Sequence, residues 1–79
     1  MILSISANAY SLLREHVRPD DFGYSALITA TRVSSSVKGM AEIWIDCSES
    51  EAESYLAVAQ TNIPQHKREI EQAIDEARH

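Results

Sequence analysis

The spacing of hydrophobic and polar positions changes several times along the chain, and each change marks an element. Residues 2–5 alternate, with Leu3 and Ile5 on one side and Ser4 on the other, which predicts a short β-strand. Ser6 follows as an N-cap, its hydroxyl placed to accept from an amide two or three residues on. Tyr10, Leu13 and Val17 then recur at helical spacing over residues 7–18. Pro19 stops that helix, because the residue before a proline is pushed out of the α region, and Asp20, Asp21 and Gly23 supply turn chemistry. From Tyr24 to Lys38 the β-branched Ile28, Thr29, Thr31 and Val33 predict a second strand. Residues 37–47 carry the clearest two-residue period. Ala41, Ile43, Ile45 and Cys47 fall on one face, Lys38, Glu42 and Asp46 on the other.

The polar run Ser34-Ser35-Ser36 joins these two strands, and burial argues for one pairing. A loop centred on Ser35 and Ser36 sets Ala26, Ile28 and Ala30 opposite Ile45, Ile43 and Ala41. A slip of one residue would set Ile28 against Glu42 and Ala26 against Trp44, burying the wrong set. The preferred register puts Leu27 opposite Trp44 on the outward face, with Met40 beside Thr31.

Beyond the hairpin, Ser48 and Glu51 form a Ser-x-x-Glu capping box. Ala52, Leu56, Ala59 and Ile63 make the stripe of a second helix, which Pro64 interrupts. A third helix runs from about residue 64 to the end, with Ile70, Ala73, Ile74 and Ala77 as its seam and the Lys67/Glu71 pair outside it. The expected architecture is α+β: one small domain over residues 1–79, in the order β-α-β-β-α-α. An antiparallel hairpin sheet carries the helices packed on one face.

Composition limits the function classes. Of the 79 residues 44% are hydrophobic, which argues against a disordered chain, and two Gly with two Pro argue against a collagen-like or loop-rich scaffold. The lone Cys47 cannot close an intramolecular disulfide. The first residues, Met-Ile-Leu-Ser-Ile-Ser-Ala, lack a basic region and a continuous apolar segment, so the expectation is a soluble cytoplasmic protein. A formal charge of −5 places nucleic-acid binding at a disadvantage. The charge is also uneven. Residues 1–40 hold four bases and three acids, whereas residues 41–79 hold three bases and nine acids.

Enzyme chemistry finds little support. Gly23 and Gly39 stand apart, so no phosphate loop exists, and no zinc, redox or hydrolase motif occurs. Cys47 with His16 or His66 as base is a conceivable nucleophile, but its parity with Ile43 and Ile45 reads as a buried small hydrophobe. His16, Cys47, His66 and His79 are too irregularly spaced to predict a metal site. Glu42 and Asp46 lie about 13 Å apart along a strand, too far to share a proton. Neither a cofactor nor a metal is expected.

Two features remain. Leu27, Met40 and Trp44 form an outward patch edged by charge, the composition of an interface core. Between Lys38 and Lys67 lie Glu42, Asp46, Glu49, Glu51 and Glu53 with no base, a run that can steer a basic partner. In size and acidity the chain resembles the small proteins encoded by phages and mobile elements, anti-CRISPR proteins among them, a likeness of format that rests on no motif. The expectation is therefore a non-enzymatic inhibitor or regulator, anti-CRISPR-like or antitoxin-like. It would dock through Leu27, Met40, Glu42, Trp44, Asp46, Glu49, Glu51 and Glu53 on a basic, nucleic-acid-binding partner protein. Self-association through the same face or the C-terminal helix is the alternative, and direct nucleic-acid binding through Arg14, Arg18, Arg32 and Lys38 ranks third.

Overall fold

The two-residue period of residues 41–47 becomes the middle strand of a three-stranded antiparallel sheet. A computed structural model describes residues 1–34 and 41–78. Its elements are β1 (Ile2–Ser6), α1 (Ala7–His16), α2 (Tyr24–Ile28), β2 (Thr31–Ser34), β3 (Ala41–Asp46), α3 (Glu49–Asn62) and α4 (Lys67–Arg78), with a 3-10 turn at Pro64–His66. The strands lie in the order β1-β3-β2. Leu3 and Ile5 of β1 pair with Ile45 and Ile43 of β3, so one face of the sheet is apolar. These four residues are buried on the face against which α1, α2 and α4 pack. The α+β class and the one-sided helical layer agree with expectation. The element order differs, being β-α-α-β-β-α-α.

Local signals in the helices hold. Ser6 caps α1, its Oγ accepting from the Ala9 amide at 3.2 Å. That helix ends at His16, two residues before the expected boundary, and Val17 closes it by donating to Leu13. Pro19 lies in the following turn, where the Asp21 amide donates to the Arg18 carbonyl. Ser48 and Glu51 form the reciprocal capping box of α3, at 3.1 and 2.9 Å. Ile63, buried and at φ −137°, ψ 60°, bends the chain before Pro64, and Ile70, Ala73 and Ile74 seat α4 on the core.

The main correction concerns residues 24–30. Tyr24–Ile28 are helical, and the strand begins only at Thr31. Strand propensity is overruled there by tertiary contacts at both ends of α2. The Tyr55 hydroxyl donates to the Gly23 carbonyl at 2.6 Å, and the Tyr10 hydroxyl donates to the Leu27 carbonyl at 2.6 Å. Gly23 caps α2 with φ +90°, a conformation that favours glycine. A Cβ at this position would lie 2.8 Å from Tyr55 Cε1, so glycine is also required for space. Tyr55 is fully buried, and burial followed by the neighbouring Cys47 pushes its phenol pKa upward, keeping the donor protonated. Leu56 of the expected α3 stripe is half-buried and packs against the core, and its neighbour Tyr55 is fully buried within it.

The hairpin register moves accordingly. Thr31, not Leu27, stands opposite Trp44, and Arg32 opposite Ile43. The shift is an even number of residues, so each β3 side chain keeps its expected face. Ala26, Ile28 and Ala30 lie outside the sheet, and the proposed loop centre at Ser35 and Ser36 falls outside the described residues.

Gly23→Ala should lower stability by about 2–4 kcal/mol, combining left-handed strain with the clash against Tyr55. Tyr55→Phe, which leaves the Gly23 carbonyl with only the Leu27 amide as donor, should cost about 0.5–1.5 kcal/mol. Urea unfolding followed by circular dichroism measures both, and wild-type midpoints would contradict this account of α2.

Candidate interaction site

Alternation along three paired strands builds one continuous surface on the side opposite the helices. Ile2 lies beside Asp46; Ser4, Trp44 and Thr31 form a second row; Ser6, Glu42 and Val33 form a third. Trp44 is 43% exposed and Ile2 52% exposed. Trp44 stays open because both its cross-strand neighbours are small. Its indole Nε1 donates to Glu42 Oε2 at 3.3 Å, and Ser4 Oγ donates to the same oxygen at 3.1 Å. The carboxylate is thereby held beside the ring, with Oε1 turned free of both bonds.

The structure brings Glu42, Trp44 and Asp46 together on this face, as the two-residue period implied. Leu27 is not with them. It is fully buried on α2, because the segment expected to pair with β3 is helical. Met40 lies outside the described residues.

The acidic run is also less free than its sequence suggests. Arg78, at the far end of α4, returns to the start of α3 and lies 2.8 Å from Glu49 Oε1 and 3.4 Å from Glu53 Oε1. Glu51 accepts from the Ser48 amide within the capping box. These three carboxylates serve the α3 N-terminus and the α3–α4 pairing, where the helix dipole favours anions. Of the acidic run, Glu42 and Asp46 lie on the sheet face beside Trp44, while Glu49, Glu51 and Glu53 lie at the start of α3.

A carboxylate that sequence reasoning missed lies at the edge of the face. Glu69 of α4 reaches the end of β1, where Oε2 accepts from the Ser6 amide at 2.6 Å. Its Oε1 accepts from Ser6 Oγ at 3.2 Å and lies 3.1 Å from His66 Nδ1. Burial alone would raise the Glu69 pKa, but the Ser6 amide, Ser6 hydroxyl and His66 together bring it below its ordinary value. The visible signal was the i,i+3 spacing of His66 and Glu69; the contact with Ser6 depends on tertiary packing. Ser4, Ile5, Ser6, Ala41, Glu42 and Glu69 line a shallow depression of about 220 Å³ here.

The remaining candidates do not converge. Cys47 is buried, and burial followed by the charge of Glu51 pushes its thiol up to about 11. His16 is exposed at the end of α1, His66 is bonded to Glu69, and His79 lies outside the described residues. Among the described residues no group of three His, Cys, Asp or Glu is placed to hold a metal. Arg14 packs over the Tyr10 ring and donates to its hydroxyl, Arg18 sits in the turn after α1 and Arg32 on β2, while Lys38 is outside the described residues. No helix among the described residues is long and apolar enough to cross a membrane. The chain matches no protein-family model, no curated protein and no solved structure.

Because Glu69 titrates lower in the folded protein than its ordinary 4.5, its contact with Ser6 stabilises fully above that value. The contribution is lost as pH falls through the folded pKa. Urea midpoints should therefore drop more steeply below about pH 5 for wild type than for Glu69→Gln; parallel curves would contradict the contact. Iodoacetamide at about pH 8 should alkylate Cys47 slowly in the native protein and at the rate of a free thiol in urea. Equal rates in both states would contradict the burial of the thiol.

Proposed function

We propose that this domain is a small non-enzymatic protein-interaction module, an inhibitor or regulator, that docks through its open sheet face on a basic partner protein. The observation that carries this reading is Trp44. It stands 43% exposed in the middle of a sheet face whose described charged side chains are the acidic Glu42 and Asp46. Arg32, the one basic residue described in the strands, pairs with Ile43 and so belongs to the opposite face. A half-exposed tryptophan edged by charge supplies a large apolar contact at low entropic cost, while the carboxylates favour a cationic partner. Glu49, Glu51 and Glu53, engaged at the start of α3, contribute to the general negative field rather than to direct contact.

A second reading uses the same face for self-association. It is favoured by Ile2, 52% exposed on the edge strand β1 next to the tryptophan row. Two copies would then bury Ile2 and Trp44 against one another.

Affinity purification of the tagged domain from its native host tests the first reading. Wild type should retain a stoichiometric basic protein that Trp44→Ala and Glu42→Lys lose, with thermal unfolding of both variants unchanged. Retention by both variants would overturn the assignment of this face. Sedimentation of the purified domain separates the second reading: a dimer that Trp44→Ala dissociates supports it, and a monomer at working concentration removes it.

A further inference from the structure

The depression beside Trp44 has an acceptor surplus that points to the chemistry of what enters it. It lies where β1 and β3 meet α4, and its polar lining is Ser4, Ser6, Glu42 and Glu69. An ionised carboxylate offers about four lone-pair sites. On Glu42 the Ser4 hydroxyl and Trp44 indole both use Oε2, and Oε1 takes no donor from the described residues. On Glu69 the Ser6 hydroxyl and His66 occupy Oε1, whereas Oε2 accepts from the Ser6 amide and retains a further site. Two carboxylates from different elements thus line one concavity, and among the described residues no basic side chain lines it. The indole of Trp44 is tied to Glu42 Oε2, which puts an aromatic ring beside that carboxylate.

We propose that this depression receives an arginine side chain of the partner protein, its guanidinium donating to Glu42 Oε1 and Glu69 Oε2 beside the Trp44 ring. The inference rests on the reading of the open sheet face as a docking surface and names what that face selects. Charge complementarity calls for a cation. A planar fork of five donors can serve two carboxylates at once, whereas an ammonium acts as a compact point charge. The four rim groups are already fixed by hydrogen bonds, so little ordering accompanies entry.

The chain has one tryptophan, so its indole N–H gives a single reporter resonance. The test titrates the full-length domain with a blocked Gly-Arg-Gly peptide, and in parallel with Gly-Lys-Gly, following the Trp44 Nε1–H signal by NMR. The arginine peptide should shift that signal saturably, at a dissociation constant several-fold below that of the lysine peptide. Glu42→Gln, an exposed substitution that leaves the fold intact, should weaken the arginine peptide by about fivefold. An unmoved indole signal, equal affinity for the two peptides, or an unchanged response in Glu42→Gln would overturn the proposal. The two levels of the argument fail separately. If a Trp44-dependent partner is retained while the arginine peptide leaves the signal unmoved, the docking face stands and the arginine pocket falls. If Trp44 responds to neither, both fall.

Discussion

The contact between Tyr55 and Gly23 decides more of this structure than any other single interaction. It joins the middle of α3 to the start of α2 by a 2.6 Å hydrogen bond, with the ring against the bare Cα of the glycine. A larger residue at position 23 would displace the ring, and a non-glycine would resist the positive φ that starts α2. Tyr10 fixes the other end of α2 through the Leu27 carbonyl. Two buried or half-buried phenols therefore hold a five-residue helix that would not persist on its own, since so short a helix does not repay its nucleation.

Holding residues 24–28 as a helix has consequences across the sheet. Leu27 is taken into the core and β2 starts at Thr31, so the hydroxyl-bearing Thr31, not Leu27, borders Trp44. A leucine there would have covered part of the indole. A threonine leaves it open. Strand β1 completes the arrangement by pairing on the other side of β3 and presenting Ser4 to the same ring. The exposure of Trp44 therefore follows from helix packing on the opposite side of the sheet, with the apolar residues consumed there and small polar ones left outside. Glu69 ties the two sides together, because the carboxylate that accepts from Ser6 at the end of β1 belongs to α4.

The candidate face was partly legible. The alternation of residues 41–47 assigned Glu42, Trp44 and Asp46 to one side, since strand geometry sends every second side chain the same way whatever the partner strand. The companions of Trp44 were not legible. Leu27 was placed beside it on the assumption that β-branched residues continue as strand, and propensity of that kind yields to packing. The pairing of Glu49 and Glu53 with Arg78 was not legible either, because Arg78 is distant in sequence and adjacent in space. Glu69 lay within an evident helix, yet its partner Ser6 is 63 residues away.

What the sequence determined by itself is local and short in range. It set the alternation of β1 and β3, the caps at Ser6 and Ser48, the turn chemistry around Pro19, the break at Pro64 and the buried face of α4. Each depends on backbone geometry or on groups within about one helical turn, so neighbouring residues suffice to specify it. The tertiary structure decided the helical state of residues 24–28, the position of β3 between β1 and β2, the neighbours of Trp44 and the second roles of Arg78 and Glu69. Those features turn on which buried groups meet across the core. There a single satisfied phenol or a glycine without a Cβ outweighs the few tenths of a kcal/mol per residue by which intrinsic propensities differ.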